Sequence, residues 1–201
     1  MEEGLEKKGL AFGGEVLAFH CPRWSELPDL DLYMDQVVTF LEQSLSVFSE
    51  GEKPITATMI NNYVKQRVVT PPVRKRYARE HVAYLMVVFL LKKVLSIPEI
   101  IQLISMQSHA YDTELAYDYF CEELERALRT MFWQSDDFLI STASKTTYES
   151  ETLRAAVLAF ASKVYIQKSI AYVERIREEG VETPLAFPLE SKDSGTDGYS
   201  R

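Results

Sequence analysis

Apolar side chains return every three or four residues along most of this chain, with polar residues filling the gaps. Four of the eight glycines fall within the first fourteen residues, and the others are Gly51, Gly180, Gly195 and Gly198. From Glu52 to Glu179 no glycine interrupts the rhythm. An uninterrupted pattern of this period predicts a mostly α-helical protein.

The individual helices can be placed. After Pro28, Leu32, Val37, Phe40, Leu41, Leu45 and Phe48 keep the helical step, and "SEGEKP" ends that element. "TATMINNYVKQR" reads as a short helix with Thr56 as N-cap. "VVTPPVRKRY" cannot be helical throughout, because Pro71 and Pro72 interrupt it and its β-branched residues favour extension. A further helix is expected from Arg79 to Leu95. Ser96-Ile-Pro-Glu99 is a capping box with proline in the first turn, opening "PEIIQLISM". Tyr111 to Trp133 forms the next helix, with Tyr117, Phe120, Leu124, Leu128 and Met131 on one face. After the polar connection "STASKTTYES", Glu151 to Glu179 carries Leu153, Val157, Phe160, Val164, Ile170 and Val173.

Composition narrows the class. With 46% hydrophobic and 26% charged residues in 201, the chain is expected to bury a core without disulfides or metals. The longest apolar run, "VAYLMVVFLL", is about half of what a bilayer crossing needs, and the acidic, glycine-broken start does not read as a signal peptide. The expectation is a cytoplasmic protein with no membrane contact. Cys21 and Cys121 show no paired spacing, so neither zinc nor a disulfide framework is expected, and Cys121 reads as a reduced core thiol. No cofactor is indicated.

Charge changes the picture most. The net charge is −8, yet Lys53 to Lys93 holds nine Lys and Arg against Glu80 alone, a net +8 that leaves −16 elsewhere. Such asymmetry suggests a polyanion-facing surface on an acidic body. The order of elements there is helix, tight connection, short helix, proline-bounded basic loop, apolar helix, which is that of a helix-turn-helix followed by a wing. On the short helix Ile60, Tyr63 and Val64 share the core face, which leaves Thr58, Asn61, Asn62 and Lys65 outward. Asparagine disfavours helix, but its amide can pair with adenine in the major groove. Arg67 follows, and the loop supplies Arg74, Lys75, Arg76 and Arg79, a cluster suited to phosphate. Tyr77 is a candidate phosphate contact through its hydroxyl, or a packing ring under the wing. His81 is expected to be an exposed first-turn histidine.

These residues carry a resemblance. The run from Ile55 to Ile101 resembles the DNA-binding module of MerR-type regulators: Thr56 matches the helix cap, Asn62-Tyr63 the aromatic pair, "VVTPP" the proline turn, "VRKRY" the wing and "SIPEI" the second helical turn. The string "MINNYVK…PPVRKRYAREHVAYL…LKKVLSIPEI" is similar, more closely, to an uncharacterised bacterial family described only as a domain of unknown function and itself regarded as MerR-like. Three departures stand out: Asn62 replaces the first aromatic, the wing is shorter, and Ala78 occupies a position where a hydroxyl cap is usual. The resemblance implies dimerisation through helices placed after the DNA-binding part. Read physically, the two long C-terminal helices either dimerise or complete the monomer's core.

The expected architecture is therefore all-α: a winged helix-turn-helix (MerR-like) module followed by a long-helix C-terminal unit. Residues 1–24 are expected to be poorly ordered or loosely docked, 25–108 to form the module, 109–180 the helical unit and 181–201 a flexible tail. Phe132-Trp133, with Tyr111, Tyr117 and Tyr119 nearby in sequence, supplies aromatic material for an effector pocket or for core. The three histidines are scattered, and neither a phosphate-cradling glycine loop nor a nucleophile elbow occurs, so no enzyme is expected. The functional expectation is a sequence-specific transcriptional regulator of double-stranded DNA, homodimeric through its C-terminal helices, with an unknown effector. The alternative is a non-enzymatic helical protein–protein interaction module whose basic patch meets an acidic partner.

Overall fold

The computed structural model describes residues 13–49, 54–133, 141–142 and 146–180; residues 1–12 and the tail expected to be flexible, residues 181–201, lie outside them. Seven α-helices are found among the described residues: α1 (Gly14–Leu17), α2 (Met34–Ser44), α3 (Ala57–Lys65), α4 (Arg79–Leu91), α5 (Ile97–Ala110), α6 (Thr113–Trp133) and α7 (Tyr148–Glu178). Short 3-10 turns cover Trp24–Glu26 and Ser46–Phe48. Extended pairing among the described residues is confined to two isolated antiparallel bridges, Leu32 with Tyr77 and Val73 with Arg76. The class is all-α. No helix among the described residues is long and apolar enough to cross a membrane.

Local chemistry explains where the helices begin. Thr56 Oγ1 accepts the Met59 N–H at 3.3 Å and opens α3. At α5, Glu99 accepts both the Ser96 N–H at 2.7 Å and the Ser96 hydroxyl at 2.6 Å, and these bonds hold its carboxyl below the ordinary value. Helix α7 starts three residues before the sequence pattern suggests. Thr147 and Ser150 cap each other there, with serine in the place usually taken by Glu or Gln.

The run "VAYLMVVFLL" is buried at every position but Tyr84, because α4 passes through the centre and packs against α2, α5 and α7. A helix apolar all round belongs in such a position. The most extensive helix–helix contact is between α6 and α7. Glu123 meets Arg154, Met131 meets Ser162 and Phe132 meets Tyr165, so the two helices advance in the same direction. Leu153, Val157, Phe160 and Val164 of α7 are buried, but Ile170 is 55% exposed; beyond Val164, Ile176 is the residue of α7 that is again buried.

Residues 13–24 pack on the rest of the described chain. Val16, Phe19 and Cys21 are buried, and Phe19 meets Phe48 edge-on, as Phe48 meets Phe160. Gly13, with φ 125°, lies on the Phe132 ring: a Cβ there would stand 2.5 Å from Phe132 Cδ1. Glu125 accepts the Cys21 N–H at 2.9 Å and a bidentate pair of bonds from Arg23, both at 2.8 Å. One cluster of buried side chains includes residues from Val16 to Val164, so the two units expected on either side of residue 108 share a core. Cys21 and Cys121, far apart in sequence, meet inside it; hydrogen bonding with Cys121 and then burial push the Cys21 thiol well up.

Candidate nucleic-acid interface

Helix α3 turns its two faces as its composition demands. At about 100° per residue, Thr58, Asn61, Asn62 and Lys65 fall within about 100° of one another, and Ile60, Tyr63 and Val64 fall opposite. All four of the former are exposed. Ile60 and Tyr63 are buried, and Tyr63 packs edge-on against Phe89 of α4 at 5.4 Å. The outward row is therefore held by a core contact on the helix's other side.

The end of α3 is unusual. The Val68 N–H donates to the Tyr63 carbonyl and the Arg67 N–H to the Val64 carbonyl, both at 3.0 Å, the Schellman pattern. That pattern needs a left-handed residue, and here Arg67 supplies it with φ 59°. The basic loop that follows repeats the choice. The Arg76 N–H donates to the Val73 carbonyl at 2.9 Å, closing a two-residue turn whose central residues, Arg74 and Lys75, have φ of 51° and 62°. Positive φ at both central positions is the type I′ hairpin turn, which favours Asn-Gly or Gly-Gly. Among the described residues, every non-glycine residue with positive φ is one of these three bases. A left-handed residue other than glycine costs about 1–2 kcal/mol.

The base of this loop is anchored. Tyr77 exchanges both backbone bonds with Leu32, at 2.8 and 2.9 Å, tying the loop to the segment just before α2. Arg76 stacks over the Tyr33 ring at 4.1 Å, donates to the Tyr33 hydroxyl at 2.7 Å and reaches the Asp31 carbonyl at 3.3 Å. Arg79 donates to the Pro28 carbonyl at 3.4 Å and lies over Trp24. His81 is buried rather than exposed. Its Nδ1 accepts the Ala78 N–H at 3.0 Å, which leaves the neutral ring's proton on Nε2, facing Thr70 Oγ1 at 3.2 Å. The histidine thus caps α4 where Ala78 cannot.

The ten candidate residues divide accordingly. Thr58, Asn61, Asn62, Lys65, Arg67, Arg74 and Lys75 are exposed, and their side chains have no hydrogen-bond or ion-pair partner among the described residues. Arg76 and Arg79 are engaged in holding the loop against the segment before α2. Tyr77 is 2% exposed, its ring edge-on to His81 at 5.7 Å, the packing alternative for this residue. Burial pushes its hydroxyl's pKa up. The connection between α2 and α3, expected to be tight, spans residues 45–56 and includes a 3-10 turn at Ser46–Phe48. Sequence reasoning missed Tyr33 and Leu32, whose roles depend on pairing across some forty-five residues that no local pattern signals. Among the described residues no group of three His, Cys, Asp or Glu gathers as a metal site requires.

Residues 22–120 match the family model described as Domain of unknown function (DUF1836), a span that holds α2 to α5, the basic loop before α4 and the first third of α6. No curated protein matches the chain, and no solved structure does.

Proposed function

We propose that this protein is a sequence-specific DNA-binding regulator of transcription. In this reading α2, α3 and the turn at residues 73–76 are a MerR-like helix-turn-helix and wing. Helix α3 enters the major groove with Asn61 and Asn62 on base edges and Thr58 and Lys65 beside them, while Arg67, Arg74 and Lys75 grip phosphate. The observation that carries the reading is the presence of three basic residues at left-handed positions. Glycine would relieve the backbone at each, so the positive charge is kept against conformational preference, as strained functional residues are. The absence of partners for those side chains among the described residues supports the same conclusion. Ile166 and Ile170, one helical turn apart on α7 and more than half exposed, support a homodimer formed through the C-terminal helices.

The test is fluorescence anisotropy of a labelled duplex with the full chain between about 50 and about 200 mM salt. Binding should weaken steeply with salt, and Arg74→Ala with Lys75→Ala should flatten the log–log slope by about two. An unchanged slope would remove the wing from the interface. Absence of duplex binding at the lowest salt would turn the reading toward an acidic protein partner.

A further inference from the structure

Two thiols meet where the N-terminal segment crosses α6. The Cys21 N–H donates to Glu125 at 2.9 Å, and one helical turn earlier the Cys121 Sγ donates to the Pro22 carbonyl at 3.7 Å. The backbone of residues 21 and 22 is thus laid across α6 at Cys121. Both cysteine side chains are 0% exposed, and the two thiols lie within hydrogen-bonding reach of each other. The neighbouring bonds fix the crossing. Arg23 closes on Glu125 with two bonds, and the Trp24 N–H donates to Asp118 at 2.6 Å. Asp118, Cys121 and Glu125 follow at steps of three and four, so they share one face of α6.

The place of the pair in the chain gives the contact its meaning. Residues 22–120, the whole stretch between the two cysteines, are the span that the family model matches. A bond between the sulfurs would close that span into a covalent loop, fastening its two ends together. Closing so long a loop removes much of the unfolded chain's freedom. No ligand has to be accommodated, because the reacting groups are already neighbours. Inside the closed core the Cys21 thiol is held protonated, by its bond with Cys121 and then by burial. Reaction therefore proceeds before residues 13–24 dock during folding, or from conformations in which they have lifted.

We propose that Cys21 and Cys121 are a reversible oxidation site, whose disulfide clasps the N-terminal segment to α6. The oxidant is a small disulfide such as oxidised glutathione. One cysteine thiolate attacks it and releases one glutathione thiol; the other cysteine then displaces the second glutathione from the mixed disulfide. Two protein thiols and one glutathione disulfide thus give one protein disulfide and two glutathione thiols. The site does not rest on the DNA reading, and its test involves no nucleic acid. The full chain is refolded from urea in glutathione redox buffers, so that both thiols are accessible before the core closes, and is compared with the chain held in urea. The folded chain should reach half oxidation at about tenfold less oxidised glutathione than the unfolded chain. The product should be lighter by two hydrogens, with the Cys21 and Cys121 peptides joined within one chain. Its urea midpoint should exceed that of the reduced chain, and dithiothreitol should reverse the rise. Cys121→Ala should stop at the mixed disulfide; the oxidised and reduced parent carry the test if that variant does not fold. Oxidation no easier in the folded chain than in urea, a mixed disulfide or a link between chains as the parent's product, or an oxidised chain with no higher urea midpoint would each overturn the proposal. The midpoint is decisive because a disulfide tolerates only a narrow range of Cα separations without strain.

Discussion

On α6 and α7 the buried charges are answered within the chain. Glu123, fully buried, accepts from Arg154 at 3.0 Å and from both the N–H and hydroxyl of Thr142, while Arg154 also meets Glu151. Glu125 is closed in by Arg23 and the Cys21 N–H. Along α3 and the basic loop before α4, Lys65, Arg67, Arg74 and Lys75 stand exposed with no such partner among the described residues. One region spends its charges on folding; the other holds them out, three of them on a strained backbone. The difference separates charges that specify the structure from charges available to something else.

Substitutions can break or sharpen that contrast. The largest effect is expected from Arg154→Ala, which strips Glu123 of its main counter-charge and should cost about 3–5 kcal/mol in urea unfolding. A loss near zero would show that the buried pair is not structural. Next comes Asn61→Ala or Asn62→Ala, either of which should lose about 1–3 kcal/mol of discrimination between preferred and scrambled duplexes with little change in stability. Discrimination that survives both changes would sink α3 as the reading helix. Arg74→Asn combined with Lys75→Gly supplies the residues a type I′ turn favours. It should raise unfolding stability by about 1–2 kcal/mol while weakening duplex binding. A destabilised variant would contradict the strain argument.

The smallest effect is a pH dependence. Burial pushes the Glu125 carboxyl up, but the Arg23 and Cys21 hydrogen bonds outweigh it, and the group lies below its ordinary 4.5. A depressed folded-state pKa contributes stability that is present above pH 4.5 and is lost as pH falls through the folded value. The urea midpoint should therefore drop below pH 4.5 in the parent chain, and Glu125→Gln should flatten that part of the profile. An unaltered profile would leave the Arg23–Glu125 pair without a role in stability.

Much of this was legible because it is local. Thr56, the Ser96–Glu99 box and the 3.6-residue pattern act within a single turn of helix, so the sequence alone places α3, α5 and the outward row of α3. What stayed hidden depends on distant partners or on backbone geometry that residue type argues against. Arg-Lys gives no sign of a type I′ turn, since Asn-Gly is the usual signal. Nothing near Arg76 announces Tyr33, and nothing near Cys21 announces Cys121 or Glu125. His81 looked exposed because it opens a helix, yet the missing cap at Ala78 draws its ring inward. Gln107 is one of several polar residues on α5, and its partner appears only once Glu149 is seen to take one end of the amide.

The most direct test of the central claim is selection of bound duplexes from a randomised pool by the purified full chain near physiological salt. The account predicts enrichment of a defined motif by the parent protein, and loss of that enrichment, with duplex still retained, in Asn61→Ala with Asn62→Ala. Retention of duplex without any enrichment by the parent, or no retention at all, would contradict it.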